Sequence, residues 1–345
     1  QLFAVCFLSP RRLFRRIIHY ITERGIKMSN STFKKPETLL FEEFSGRVRE
    51  RIFDHLPEDY KDARVEIFTM RRLNDSYNAM QLFREGDEFR GVPVINLDAL
   101  YDAYYNGVAW DDIIKAAANI VLTTANVSLD RFEDYNYART RLIIRVSSWS
   151  RNEDLKDELP HMKFGDIMLT YHLMLEGVSD GVSSARISHS MLEDYGIDAE
   201  TLHMDAMKSS PKLLPPVLVS VDRMLNVNSP GKHRNMALSF PEAVERINFS
   251  EDMIYCLTNS INVGGAAAMF YPDVLGMIAD KAKSDLYILP SSVHEVLIAQ
   301  VKDDIRPSFL KELVLTVNKE KMMMGIKLAD SVFRYERGSG KLLEI

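Results

Sequence analysis

The stretch DMIYCLTNSINVGGAAAMFYPDVLGMIADKAKSDLYILPSSVHEVLIAQV, residues 252–301, carries the most regular patterning in the chain. Its short apolar runs IYCLTN, AAAMFY, LYILP and EVLIAQV are separated by the turn-rich strings SINVGG and SSVH, so each reads as a strand. Between the second and third runs, Val274, Leu275, Ile278 and Ala279 recur at helical spacing behind Pro272, whose missing N–H suits a first helical turn. A further helix is expected near Pro307 to Lys321, which completes the order β-β-α-β-β-α. Consecutive hairpins imply mainly antiparallel sheets with helices packed on one face, an α+β fold.

Upstream, FGDIMLTYHLMLE and SSARISHSMLEDYG enclose Gly177-Val178-Ser179-Asp180-Gly181, residues that tolerate positive φ. A hairpin is expected there, its second strand running into a helix. Residues 198–209 read as another helix, with Leu202, Ala206 and Met207 inward and Pro211, Pro215 and Pro216 beyond. The polar run Asn226 to Asn235 contains Gly231-Lys232 but lacks the Ser/Thr and upstream glycine of a phosphate loop, so it is a plain loop. The polar string RNEDLKDELPHMK, 151–163, is the expected boundary between a half at 28–155 and a half at 156–345.

In the first half, Leu39, Leu40, Phe44, Val48, Ile52, Phe53 and Leu56 mark a helix that Pro57 ends. Two alternating runs around Asn74-Asp75-Ser76 make a hairpin, and VPVINL a short strand. Tyr101, Tyr104, Tyr105 and Trp110 fall on two successive helices, where their spacing implies core packing. Residues 132–149 also read as helical, with Tyr135, Ala138, Leu142, Ile143 and Val146 inward. The cations Arg131, Arg139, Arg141, Arg145 and Arg151 then spread around that axis as a solvated face.

Composition bounds the function classes. The 345 residues are 46% hydrophobic and 27% charged, with 43 basic and 49 acidic side chains. Residues 1–27 hold six Lys/Arg and one Glu, leaving 37 basic against 48 acidic residues, a net −11, in the remainder. Such a body repels a phosphate backbone, so no nucleic acid is expected as partner. Cys6 and Cys256 show no metal or disulfide spacing, which suits a cytoplasmic location.

The leader 1–27 reads as translated upstream sequence. Met28 opens a polar start, and Glu23-Arg24-Gly25 is compatible with a purine run like a ribosome-binding site. The rival is a basic amphipathic helix, with Leu13, Phe14, Ile17, Ile18 and Ile21 on one face. A secretory signal fits neither, because the apolar run precedes the arginines. If the leader is not native, no membrane partner is expected.

Ser291, Ser292, His294 and Glu295 alone bring nucleophile, base and carboxylate side chains together. In an extended strand Ser292 and His294 share a face and Glu295 takes the other, which argues against a triad. Pro290-Ser291-Ser292 is good turn chemistry, and Ser292 with Glu295 also fits a helix capping box. His161, His172, His189, His203 and His233 lack metal-site spacing, Gly264-Gly265 sits wrongly for a dinucleotide loop, and Met322-Met323-Met324 reads as packing. No cofactor and no metal are implied.

The strings LPEDYKDARVEIF, PVINLDALYDAYYNG, LPHMKFGDI, LEDYGIDAETLHMDAMKSSP, IYCLTN, GGAAAMFYPDVL and LYILPSSVHEVLI resemble an uncharacterised bacterial family known only as a domain of unknown function. They span 28 to about 335. More weakly, the second half is similar to another uncharacterised bacterial family. Where the first family tends to place a proline after its apolar strand, this chain continues Ala299-Gln300-Val301-Lys302. The resemblance supports the fold and the Met28 start and implies no activity.

The expectation is therefore a non-enzymatic binding protein with a protein or small-molecule partner. Its surface would comprise Asn259, Gly264, Gly265, Ser292 and His294, on polar loops of a rigid sheet. The alternative is a hydrolase using Ser291 or Ser292 with His294 and an acid from Asp166 or Asp285. A third reading, nucleic-acid binding, needs a contiguous basic face.

Overall fold

The computed structural model describes residues 39–84, 92–124, 130–175, 184–221, 239–249, 254–303, 305–321 and 324–345. The leader, the loops 177–181 and 226–235, and Met322 and Met323 lie outside the described residues. The described chain forms two compact units, one ending at Ala138 and the other built from Arg139–Met174 and Ser184–Ile345. The division thus precedes the expected boundary at 151–163. The reason is a strand inside the expected first half, Leu142–Ser148, that pairs along its whole length with Ile167–Met174.

In the N-terminal unit, β1 (Arg64–Arg72) and β2 (Asp75–Phe83) form the expected hairpin, and β3 (Ile95–Asn96) adds to β2. The two-residue turn holds Asn74 at φ 67°, a conformation Asn tolerates. Helices α1 (Phe41–Arg51), α2 (Leu97–Tyr105) and α3 (Trp110–Thr124) bury Phe44, Val48, Leu97, Ile113, Ile114 and Ala117 with Ile52, Met80 and Leu82 in one core. The Asn96 side chain caps α2 by accepting from the Ala99 N–H. Phe44 packs on Tyr101, Tyr104 and Trp110 with ring centroids 5.1, 5.5 and 5.4 Å away, while Tyr105 is exposed.

The C-terminal unit holds two antiparallel sheets. The first comprises β4 (Leu142–Ser148), β5 (His161–Phe164), β6 (Ile167–Met174) and β7 (Ser184–Arg186), in the order β4-β6-β5 with β7 also on β6. Residues 142–148 are therefore a strand and not the second half of a helix; only Tyr135–Ala138 makes a helical turn. LIIRVSS is β-branched and buried on both faces, and pairing in a sheet centre outweighs an accidental three-and-four spacing. Helix α4 (His189–Tyr195) follows β7 as expected. Helix α5 (Ala199–Leu213) runs past Pro211 into its last turn and covers the sheet face of Ile144 and Tyr171. There Ser210 Oγ accepts from the Ile144 N–H at 2.9 Å, and Tyr171 Oη lies 3.0 Å from His203 Nδ1.

The second sheet has six strands, β8 (Pro216–Ser220), β9 (Tyr255–Asn259), β10 (Leu286–Ser292), β11 (Glu295–Gln300), β12 (Phe333–Glu336) and β13 (Lys341–Glu344), ordered β13-β12-β10-β11-β9-β8. Helices α6 (Phe240–Arg246), α7 (Val274–Ala282) and α8 (Pro307–Lys321) accompany it. Leu310, Leu313 and Val314 of α8 bury Cys256, Tyr287, Leu289 and Leu297 on one face. The α+β architecture stands, with two amendments. The run AAAMFY is no strand, since Gly265–Phe270 forms a 3-10 helix. The hairpin β12–β13, after α8, adds a pair of strands that weak patterning conceals.

Candidate functional site

The β10–β11 hairpin is the first component. Ser292 pairs with Glu295, so the turn is Val293-His294, and the strand continues through Pro290 and Ser292 where turn chemistry was expected. The register slips between Pro290 and Ser292. The slip suits a proline, which has no N–H to give the ladder. Ser291 lies at this irregularity, and its side chain is outside the described set.

The expected cluster then separates in three directions. Ser292 Oγ accepts from the His294 backbone N–H at 3.0 Å. His294 Nδ1 accepts from the Gly264 N–H at 3.1 Å, so the neutral ring carries its proton on Nε2. Glu295 is buried and accepts from the Cys256 thiol, with Sγ and Oε2 3.9 Å apart. A nucleophile must share its proton with the imidazole, and here the serine hydroxyl serves the turn backbone instead. The two candidate acids serve other partners. Asp285 accepts from Arg334 Nη2 at 2.6 Å and from the Arg337 N–H at 2.9 Å, and the Arg334 bond holds its carboxyl below the usual range. Asp166 accepts from Ser148 Oγ at 3.1 Å and the Ser150 N–H at 2.9 Å. Asp285 also lines an open depression with Asp280, Lys283, Ser284 and Arg337, at the opposite end of β10 from the turn.

The second component is the loop from β9 to the 3-10 helix. Asn259 Oδ1 accepts from the N–H groups of Ile261 (3.2 Å) and Val263 (3.3 Å), while its Nδ2 donates to the Val263 carbonyl at 2.9 Å. Gly264 is left-handed at φ 65°. Gly265 is enclosed: a Cβ there would meet the Asn259 nitrogen and the His294 carbonyl oxygen, each at 2.6 Å. Thr258 Oγ1 donates to that same His294 carbonyl at 2.8 Å. Asn259, Gly264, Gly265, Ser292 and His294 are thus brought together in one hydrogen-bonded knot.

Arg145 is the residue that sequence reasoning missed. It belongs to the apolar strand β4 and not to a solvated helix face, and its Nη1 donates to the Val263 carbonyl at 3.1 Å. Burial lowers its pKa. A lone cation inside LIIRVSS was the available signal.

The histidines lie apart. His161 Nδ1 is 2.9 Å from the Leu159 carbonyl, His189 is exposed, and His233 is outside the described residues. His172 is buried on β6, where desolvation and then the charges of Arg145 and Arg186 push its pKa down to about 3. Among the described residues, no group of three His, Cys, Asp or Glu side chains is placed to hold a metal ion, and no helix is long and apolar enough to cross a membrane.

No curated protein and no solved structure matches the chain. A family model does match residues 41–337, most of both units, and the chain accordingly belongs to the Family of unknown function (DUF5688).

Proposed function

We propose that this is a non-enzymatic binding protein whose recognition surface is the Ser260–Gly264 loop beside the Val293-His294 turn. The observation that carries the reading is the bracing of that loop. Asn259 makes three hydrogen bonds within it, and Arg145 and His294 hold its far end. A loop so constrained loses little conformational entropy on association, which is what preorganisation contributes to affinity. Its tip presents Ile261 and Val263, 37% and 40% exposed, a small apolar contact framed by polar backbone. The serine hydroxyl and the buried carboxylate support the fold of the turn in this reading. A cytoplasmic location accords with it.

Chemical cross-linking in the producing cells tests the reading, with Ile261→Ser/Val263→Ser compared against the wild-type chain. The double variant should lose its cross-linked partner while its melting temperature is unchanged. An identical set of cross-links from the two chains would overturn the assignment.

A further inference from the structure

Pairing of β4, β6 and β7 sets six side chains on one face of the first sheet. Arg145 is opposite Thr170, and both Ile143 and Arg186 are opposite His172, with Ser184 two residues before Arg186 on the same face. Helix α5 covers the other face through Ile144 and Tyr171, so this face lies away from α5.

The polar groups gathered here are two guanidiniums, an imidazole and two hydroxyls, with no carboxylate among them. Thr170 and His172 are buried, with Thr170 Oγ1 3.2 Å from His172 Nε2 and Ser184 Oγ 3.5 Å from His172 Nδ1. Among the described residues, the hydrogen-bond partner of Arg145 is the Val263 carbonyl, and its charge bears on the buried phenol of Tyr271. Arg186 Nη1 is buried and has no hydrogen-bond partner among the described residues. Among the described residues neither guanidinium has a carboxylate partner. Elsewhere in the same unit, Arg334 is paired with Asp285, Arg337 with Asp280 and Lys327 with Asp330.

A guanidinium cannot shed its proton, and a buried one without a counter-charge is strongly unfavourable. Arg145 and Arg186, each half-buried and with the Nη1 of Arg186 enclosed, flank one strand. With strands about 4.8 Å apart and a two-residue offset of about 6.6 Å, their Cα atoms lie about 12 Å from each other. Long arginine side chains can meet an oxyanion across that gap, and their planar forks suit phosphate or carboxylate oxygens.

We propose that this face of the β4–β6–β7 sheet binds the phosphate or carboxylate group of a small molecule, held between Arg145 and Arg186 with the hydroxyls of Thr170 and Ser184 alongside. The neutral His172 orients those two hydroxyls through its ring nitrogens. One Arg145 N–H also holds the Val263 carbonyl, so the oxyanion site and the 260–264 loop share a side chain. The proposal stands on the sheet, however, and not on what the loop recognises.

The test is isothermal titration of the full chain with inorganic phosphate and, separately, with acetate, at matched ionic strength in chloride buffer. Saturable binding of one probe is expected, and the tighter one names the group. Arg186→Gln should weaken it about tenfold to a hundredfold, the loss expected for a charge-assisted bond. Arg186→Met supplies a second readout: without oxyanion it should melt higher than wild type, because it removes a half-buried guanidinium with no carboxylate partner among the described residues. No saturable binding of either probe, or equal affinity in Arg186→Gln, overturns the proposal, as does Arg186→Met melting lower than wild type in chloride.

Discussion

The N-terminal unit fills its core with Phe44, Val48, Ile52, Met80, Leu97 and Ile114, and its buried polar side chains among the described residues are Ser45 and Asn74. The C-terminal unit buries Thr170, His172, Ser209, Ser210, Thr258, Asn259, Ser292 and Glu295, and lays Arg145 over a strand centre. Buried polar groups need partners that an apolar core does not, and they contribute less stability than the same volume of hydrocarbon. The contrast separates a unit whose sequence answers to packing alone from one whose sequence also answers to a buried polar network. Four substitutions probe that contrast.

The largest effect belongs to the apolar unit. Phe44→Ala removes the ring at the centre of the aromatic group and should cost about 3–5 kcal/mol. Denaturant titration followed by Trp110 fluorescence in a Trp149→Phe background would read it. A loss below about 1 kcal/mol would show that this core is not the tightly packed one described.

Gly265→Ala is the counterpart in the C-terminal unit. Its methyl group would press on two backbone atoms that cannot retreat like a side-chain end, and a cost of about 3 kcal/mol is expected. The His294 ring resonances should shift as well, because the Gly264 N–H would leave Nδ1. A neutral outcome would mean that the knot is loose.

His172 links the comparison to pH. Its folded pKa, pushed down to about 3, lies below the ordinary value near 6.5, so the unfolded chain binds more protons and stability rises with pH. That contribution is complete above about pH 6.5 and falls away on acidification at up to about 1.4 kcal/mol per unit. From pH 7 to pH 5 the wild-type chain should therefore lose about 2 kcal/mol more than His172→Asn. Parallel pH profiles would place the imidazole in water.

Asp285→Asn should do least. Its ion pair with Arg334 is half exposed, and such pairs contribute about 1 kcal/mol or less. Partner cross-linking should be unchanged, whereas its loss would restore Asp285 to a functional role.

Much of the fold was legible because its signals are local. The Asn74 turn, the pairing of β6 with β7 and the helices at 41–51, 97–105 and 110–124 each announce themselves in patterns of their own residues. The failures share one cause. Residues 142–148 satisfy helical spacing by accident, and AAAMFY satisfies strand composition; pairing with β6 and the enclosure of Gly265 decide them, and both are tertiary. The candidate knot was legible in its members, Asn259 through Gly265 and Ser292 through Glu295, but not in their use, since Val293-His294 rather than Ser291-Ser292 makes the turn. Arg145, His172 and Arg186 lie on three separate strands, and only the registers of β6 bring them onto one face.

The most direct test of the proposed oxyanion site is the crystal structure of the full chain grown with whichever of phosphate and acetate binds the tighter. The account predicts density for that oxyanion within hydrogen-bonding reach of both Arg145 and Arg186, with Arg186 Nη1 donating to it. A structure in which Arg186 Nη1 instead donates to a carboxylate of the chain itself would contradict it.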